Sequence, residues 1–232
     1  MSDLWTVHLG KVPYREAWAL QERVRAARLA GAVPDTVLLL EHDPVYTRGR
    51  RTEPGELPMG EAWYAAQGIE VVDVDRGGKV TYHGPGQLMG YPIVRVDDVL
   101  GYVETPEAAM VAALAEEGVE ARGRSGDGRD FIGAWVGERK IGSIGVHVSH
   151  GVAIHGFAVN VDNDLQPFEW IVPCGLHVPM TSVTKELRTG SHLPCFRKRM
   201  GHRLAQALGA RQRLVTPARL ERALAGQAAP VA

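Results

Sequence analysis

The segment Lys140-Ile-Gly-Ser-Ile-Gly-Val-His-Val-Ser-His-Gly-Val-Ala-Ile-His-Gly-Phe-Ala-Val-Asn160 decides the fold class of this chain. Apolar side chains alternate with small residues at its start, which predicts a strand over 140–148. A second strand is predicted over 152–160, and a third precedes them over 131–136. Three short strands at this spacing are typical of an antiparallel meander.

The rest of the chain interleaves strands with helices and ends in a helical third. Strands are predicted at 5–9, 36–41, 69–73 and 88–94, and helices at 13–30, 61–66, 105–117, 193–208 and from 217 onwards. Pro13, Pro106 and Pro217 suit first helical positions, while Thr105 is a good N-cap and Gly31 a good stop. The pattern predicts a mixed α/β fold in one domain over 1–232, with a frayed tail from about 226.

Composition narrows the class of protein. With 232 residues and 45% hydrophobic content the chain can bury a full core. No apolar run reaches the ~18 residues of a membrane span, and the start Met-Ser-Asp-Leu-Trp lacks a signal peptide pattern, so we expect a cytoplasmic protein without a membrane partner. A net charge of -1 argues against nucleic acid binding. The basic stretch 197–222 could steer an acidic partner or simply be a solvated helix face.

Two polar, glycine-bearing segments stand out as candidate site loops. The segment 42–51 contains Pro44 and Gly49 and is rich in charge, so it is predicted to be a site loop rather than core. The segment 76–87 is rich in glycine and could cradle an acyl carbonyl, a pantetheine arm or a phosphate. A pair of purely structural turns is the alternative. His83 within it could position a substrate or serve as a hydrogen-bonded structural residue.

Cys174 and Lys140 are the candidate reactive residues. Cys174 lies between Pro173 and Gly175, as expected of a presented thiol nucleophile. Most of the 26 basic residues are arginines, and a lysine among apolar and glycine residues can exchange its proton near neutrality where an arginine cannot. The alternatives are a core cysteine and a surface lysine beside a turn. Neither Cys174 nor Cys195 has metal-ligand spacing, and both are expected to be free thiols.

Several motifs together resemble one family. They are His42-Asp-Pro-Val-Tyr-Thr, Arg76-Gly-Gly, Thr81-Tyr-His-Gly-Pro-Gly-Gln87, Lys140-Ile-Gly-Ser-Ile-Gly, His155-Gly-Phe-Ala-Val-Asn and Pro173-Cys-Gly. In this order, over roughly 38–182, the chain is similar to the lipoyl(octanoyl) transferases. The two ends match only loosely, and the 125–129 loop and Gly101-Tyr102 do not align with the family pattern.

The resemblance implies a fold, a reaction and partners. The expected fold is that of biotin and lipoate protein ligases, a mixed β-sheet flanked by helices with a smaller sheet beside it. The expected reaction transfers an octanoyl group from octanoyl-acyl carrier protein to a specific lysine of lipoyl domains, through a cysteine thioester. Those domains belong to 2-oxoacid dehydrogenase complexes and the glycine cleavage H protein. No ATP, metal or other cofactor is expected, and the chain is expected to act as a monomer.

The resemblance also implies roles for individual residues. Cys174 corresponds to the acyl-thioester nucleophile, and Lys140 to the lysine that lowers its pKa. The implied substrate-binding residues occupy three stretches: Arg76, Gly77, Gly78, Lys79, Val80, Thr81, Tyr82 and His83; Ser143, Ile144 and Gly145; and Gly156, Phe157 and Ala158. His155 and Asn160 could line the same pocket or satisfy neighbouring backbone groups.

Two other functions compete with this one. An ATP-dependent lipoate or biotin ligase would share the fold but would activate a free acid as an adenylate, without needing a cysteine nucleophile. A non-catalytic protein that binds acyl groups or lipoyl domains would keep Cys174 only as a packed core residue.

Overall fold

The computed structural model describes residues 1–172, 178–190 and 193–226. Its strands are β1 Asp3–Lys11, β2 Asp35–Glu41, β3 Val45–Arg48, β4 Glu70–Asp73, β5 Thr81–His83, β6 Gln87–Ile93, β7 Arg122–Gly123, β8 Gly133–Val136, β9 Arg139–Ser149, β10 Val152–Asn160 and β11 Arg211–Val215. Its α-helices are α1 Tyr14–Leu29, α2 Glu61–Ala66, α3 Val99–Tyr102, α4 Glu104–Glu116, α5 Val183–Leu187, α6 Leu193–Ala207 and α7 Pro217–Ala225. Short 3₁₀ turns occur at Ser125–Asp127 and Gln166–Trp170.

The strands form a large mixed sheet and a small one. The large sheet has the order β11-β1-β2-β6-β10-β9-β8-β7, and the small sheet has the order β4-β3-β5. β1 is parallel to both β11 and β2, whereas the other neighbours in the large sheet are antiparallel. Helices cover both faces of the large sheet. The expected mixed sheet with flanking helices and a smaller sheet is confirmed.

The apolar run in β2 is explained by its burial on both faces. Val37 and Leu39 pack in the core beneath α4 and α6, whereas Leu38 and Leu40 pack beneath α1 and α7. All four side chains are fully buried. Complete burial of such a side chain stabilises the fold by about 1.5–3 kcal/mol. β2 therefore joins the two halves of the core.

The predicted meander is present as β8, β9 and β10. β9 and β10 pair antiparallel with Gly145 opposite Gly156 and Ile144 opposite Phe157. β8 pairs with the first part of β9 only, from Arg139 to Ser143. The later part of β9 therefore has an edge open to other segments of the chain.

The prediction that 42–51 is a loop outside the core is wrong. β3 lies in this segment, at the centre of the small sheet, and Tyr46 and Thr47 are fully buried. The charge of Arg48, at the end of β3, lies outside this core, because its Nε lies 2.6 Å from Oδ1 of Asp73 on the neighbouring strand β4. The turn formers and charges therefore mark the ends of a short buried strand.

Other differences concern short elements. The glycine-rich segment 76–87 contains β5, and the helical third contains the parallel edge strand β11. The helix predicted to start at Pro106 begins at Glu104, directly after the short α3. Within the described residues no helix combines the length and the apolar character that crossing a bilayer requires.

His42, directly after β2, is a buried structural link. Its Nδ1 lies 2.6 Å from the carbonyl oxygen of Val12, and its Nε2 lies 2.6 Å from the Tyr91 hydroxyl on β6. Only a ring that donates from Nδ1 and accepts at Nε2 satisfies both partners. Burial lowers the pKa of His42 from 6.5 to about 4, which keeps this neutral form at neutral pH.

A first prediction concerns the contact between β6 and β10. A Cβ added to Gly90 would lie 2.0 Å from Cζ of the Phe157 ring, which covers that glycine. We expect Gly90→Ala to lower the free energy of unfolding by about 1–3 kcal/mol, because the ring must shift inside a packed core. Urea denaturation measures the change. Gly126→Ala is the control, since Gly126 has nothing within 4 Å of an added Cβ, and equal effects of the two variants would contradict the proposed packing.

A second prediction concerns acid stability. An unfolded histidine has a pKa of about 6.5, so between this value and about 4 the unfolded chain binds a proton at His42 that the folded chain does not. The free energy of unfolding therefore falls as the pH is lowered through this window, by about 1.4 kcal/mol per pH unit for this residue. Urea denaturation at several pH values in this window measures how the free energy of unfolding changes with pH. For His42→Gln this change should be less steep, by the equivalent of about one proton. Identical slopes in the variant and the unsubstituted protein would refute a neutral buried His42.

Candidate active site

Lys140 lies near the start of β9 and is almost completely buried, with 2% of its surface exposed. Its Nζ donates to the carbonyl oxygen of Asp130 at 3.4 Å and lies 5.2 Å from the centroid of the Trp135 ring. A buried ammonium in such surroundings is held by a carbonyl dipole and an aromatic face. The structure thus places Lys140 in an interior position rather than on the surface beside a turn.

The segment on the C-terminal side of Cys174 runs beside Lys140. The Lys140 backbone N–H donates to the carbonyl oxygen of Pro179 at 3.0 Å, and the Thr181 N–H donates to the Lys140 carbonyl oxygen at 2.9 Å. On the other side, the N–H of Val172 donates to the carbonyl oxygen of Glu56 at 3.0 Å. Cys174 itself lies outside the described residues. The chain is therefore anchored shortly before and shortly after it.

Glu107 on α4 organises the loop that faces Lys140. Its carboxylate accepts from the backbone N–H groups of Arg124 at 3.1 Å, Ser125 at 3.4 Å and Gly133 at 2.9 Å. The Ser125 hydroxyl donates to it at 2.8 Å. Because hydrogen bonds to an ionised acceptor are strong, this buried carboxylate fixes both ends of the 124–133 loop. The Asp130 carbonyl oxygen that accepts the hydrogen bond from Lys140 Nζ belongs to this loop.

A cavity of about 50 Å³ lies between β10, the later part of β9 and the segment 76–83. It brings together residues of all three implied substrate-binding stretches, namely Arg76, Gly78, Lys79, Thr81, His83, Ser143, Ile144, Gly145, Gly156, Phe157 and Ala158. Antiparallel pairing of β9 with β10 explains why two of the stretches meet, since Ser143 lies opposite Ala158. We refer to this space as the inner cavity.

A second cavity of about 200 Å³ adjoins the inner one, and we refer to it as the outer cavity. Lys140 and Gly77 line it, while Gly78, Lys79, Ile144 and Gly145 line both cavities. The two spaces therefore lie on either side of a shared wall formed by the 76–79 segment and β9. A chain-shaped substrate that passes this wall would run from Lys140 into the inner cavity.

Two implied binding residues lie elsewhere, and three cavity residues had no predicted role. Val80 and Tyr82 pack in the core of the small sheet, because alternate residues of a strand face opposite sides. Tyr14, Met89 and Tyr91 line the inner cavity. The only sequence signals for them are the helix start after Pro13 and the alternation along β6, and neither signal indicates a site.

A relay of hydrogen bonds holds the polar side of the inner cavity. Arg76 Nη2 donates to the Thr47 hydroxyl at 2.7 Å, and this hydroxyl lies 3.4 Å from His83 Nε2. His83 Nδ1 donates to Gln87 Oε1 at 2.8 Å, and Gln87 Nε2 donates to Asn160 Oδ1 at 2.8 Å. Burial holds the pKa of His83 well below its usual value, so the ring is neutral and its Nε2 accepts from Thr47. Asn160 thus accepts the hydrogen bond from the Gln87 side chain at the end of this network.

His155 is oriented by Asp75. Its Nε2 lies 2.7 Å from Asp75 Oδ1, and its backbone φ is 57°, in the left-handed region. The hydrogen bond from His155 lowers the pKa of Asp75 to about 2, whereas burial lowers the pKa of His155. The pair is therefore a neutral imidazole that donates to a carboxylate, despite its ion-pair distance. In the part of the chain that the structure describes, the buried Nδ1 of His155 has no hydrogen-bond partner.

Comparisons with known proteins extend over most of the chain. An octanoyltransferase of Thermobifida fusca (strain YX) is 44% identical over 224 residues, which cover 90% of this chain and 91% of the relative. An octanoyltransferase of Mycobacterium ulcerans (strain Agy99) is 49% identical over 188 residues, 77% of each protein.

Solved structures share the fold at low identity. A lipoate-protein ligase A with bound ATP has a TM-score of 0.73 at 19% identity, over 98% of this chain and 94% of the other. A bi-partite lipoate protein ligase from Thermoplasma acidophilum has a TM-score of 0.73 at 17% identity, over 98% and 92%.

The model of one protein family, described as the lipoyl protein ligase A/B catalytic domain, matches residues 13–205. This match includes Lys140, Cys174 and every residue that lines the inner cavity. The chain belongs to the family of lipoyl protein ligase A/B catalytic domains.

Proposed function

We propose that this protein is an octanoyltransferase, which moves an octanoyl group from a carrier-protein thioester to a lysine of a lipoyl domain through Cys174. Relatives at 44% and 49% identity that carry this name support the reaction. We further propose that the chain works as a monomer with one catalytic domain, and that its acceptors are lipoyl domains of 2-oxoacid dehydrogenase complexes and the glycine cleavage H protein.

The position of Lys140 is the observation that carries the proposal. This lysine is buried, lines the outer cavity, and is paired through its backbone with Pro179, five residues after Cys174. Five residues of extended chain span at most about 18 Å. We propose that the Cys174 thiol, which this length of chain joins to Pro179, works together with the Lys140 amine, as nucleophilic thiol chemistry requires.

The first half-reaction loads the enzyme. The Cys174 thiolate attacks the donor carbonyl, so that a carbon–sulfur bond to Cys174 forms as the bond to the carrier sulfur breaks. Lys140 gives its proton to the departing carrier thiolate. One thioester is exchanged for another, so this step needs no external energy source.

The second half-reaction delivers the acyl group. The acceptor lysine must lose a proton before its amine can attack, because its ordinary pKa is about 10.4. Lys140, neutral after the first step, accepts that proton. A carbon–nitrogen bond then forms as the bond to Cys174 breaks, and the attacking nitrogen releases its second proton to solvent. The cysteine thiolate and the Lys140 ammonium are thereby restored.

The inner cavity is proposed to hold the octanoyl chain. Its wall at Ile144, Phe157 and Ala158 is apolar, and β10 closes it on one side. Each buried methylene contributes only about 0.8 kcal/mol, so chain length must be selected by the closed end of the cavity rather than by affinity. Tyr14 and Met89 line this cavity, and we propose that they form its closed end.

We propose that transfer needs neither ATP nor a metal. An ATP-dependent ligase would share this fold, and the lipoate-protein ligase A structure contains ATP. A ligase that activates a free acid has no use for a cysteine nucleophile, however, and here Pro179, five residues after Cys174 in the chain, is hydrogen-bonded to the buried Lys140.

A third prediction tests the covalent mechanism. Mixing the protein with octanoyl-carrier, without ATP, should add the mass of one octanoyl group to the Cys174 peptide, as measured by mass spectrometry. Cys174→Ala should lose both the adduct and transfer to the lipoyl domain, while Cys195→Ala, at an exposed position, should keep both. Full-rate transfer by Cys174→Ala, or transfer only when ATP and free octanoate are supplied, would overturn the proposal.

A fourth prediction tests the role of Lys140. Lys140→Arg should reduce kcat by about 10²–10⁴-fold although the charge is kept, because an arginine cannot exchange its proton and general acid–base catalysis is worth this much. Lys198→Arg on the exposed side of α6 is the matched control. The urea midpoint should be measured for both variants to show that they fold. Near-normal turnover of a folded Lys140→Arg protein would rule out proton transfer by Lys140.

A further inference from the structure

The outer cavity carries an excess of positive charge. Arg51, Lys79, Arg129 and Lys140 line it, against one lining carboxylate, that of Asp130. At about 200 Å³ it is larger than the inner cavity, with which it shares a wall. A cleft of this charge attracts and orients anionic ligands.

Most of these cations already have partners. Arg51 Nη1 lies 3.0 Å from Asp130 Oδ1, and Lys79 Nζ lies 2.9 Å from Glu56 Oε1. Arg129 differs, because among the described residues no hydrogen bond or ion pair engages its guanidinium, which is exposed to solvent. A guanidinium presents several donors in a planar fork that matches phosphate oxygens. Arg129 is therefore the lining cation suited to an anion that arrives from solvent.

The remainder of the outer cavity suits an uncharged, slender chain. Val99, Val103 and Ile132 give it an apolar side, and Gly77 and Gly78 give it backbone without side chains. Backbone of this kind can hydrogen-bond to amide groups of a ligand that lies along it. The lining thus combines an apolar and amide-binding channel with a cation at the solvent side.

Arg129 is also fixed relative to the candidate reaction centre. It precedes Asp130, whose carbonyl oxygen accepts from Lys140 Nζ at 3.4 Å. Both belong to the 124–133 loop whose ends Glu107 holds. A ligand bound by Arg129 at one end would therefore have its other end directed to Lys140.

We propose that Arg129 binds the phosphodiester of the donor's phosphopantetheine arm, which lies along the outer cavity with its thioester at Lys140. This inference rests on the proposed function, because it assumes that the donor is a carrier-protein thioester. An acidic side chain of the acceptor domain is the competing occupant. A phosphodiester is favoured, because the donor's arm carries its reactive thioester at the end remote from the phosphate. An acidic side chain bound at Arg129 would place no reactive group at Lys140.

The test compares two carrier-free donors, octanoyl-phosphopantetheine and octanoyl-pantetheine, which differ only in the phosphate. The rate of Cys174 acylation at low donor concentration is measured by quenched mass spectrometry for the unsubstituted protein and for Arg129→Gln. We expect the phosphorylated donor to react about tenfold faster in the unsubstituted protein, as one charge-assisted contact would give. In Arg129→Gln this ratio should approach one, and Arg129→Lys should restore part of it.

Arg122→Gln on β7 is the matched control and should keep the full ratio. Arg122 is exposed, lies 3.6 Å from Glu138 and does not line the outer cavity. An unchanged ratio in Arg129→Gln would overturn the inference. Slower transfer from the loaded enzyme to the lipoyl domain, with an unchanged donor ratio, would assign Arg129 to the acceptor and equally overturn it. If neither carrier-free donor acylates the unsubstituted protein although octanoyl-carrier does, the inference is overturned, whereas failure with octanoyl-carrier as well would refute the proposed function itself.

Discussion

The close approach of two backbone segments determines the architecture of this site. Gly77 donates its N–H to the carbonyl oxygen of Val146 at 3.0 Å, so that the 76–79 segment continues the open edge of β9. A Cβ on Gly145 would lie 3.0 Å from the Gly77 carbonyl oxygen, so side chains there would push the two segments apart. At Gly77, Gly78 and Gly145 the wall between the two cavities therefore consists of backbone, and a ligand can pass close to it.

Local patterns in the sequence were sufficient to predict the strands and helices that surround this wall. The period-two alternation after Lys140 gave the strand and its partner, and prolines at helix starts located α1 and α7. It was the family resemblance that implied a shared role for three separated stretches, and antiparallel pairing puts Ser143 opposite Ala158. The patterns for strands and helices depend on neighbours within a few residues, which is why they can be read without a structure.

Contacts between distant segments could not be predicted in this way. His42 is satisfied by Val12 and Tyr91, which are 30 and 49 residues away. Its polarity therefore indicated solvent, although the partners that make burial possible are supplied by tertiary structure. For the same reason the sequence did not predict that Tyr14 lines a cavity. Nor did it predict that β11 pairs with the edge of β1.

Glu107 has a consequence for how such proteins can diversify. One carboxylate on α4 clamps both ends of the 124–133 loop through hydrogen bonds to backbone groups and to one serine hydroxyl. Three of the four donors are main-chain amides, which any residue other than proline provides. The exposed positions of the loop are thus free to change in composition while its attachment points stay in place. Substitutions at such positions can consequently alter recognition of the incoming molecule while the Asp130 carbonyl keeps its contact with Lys140.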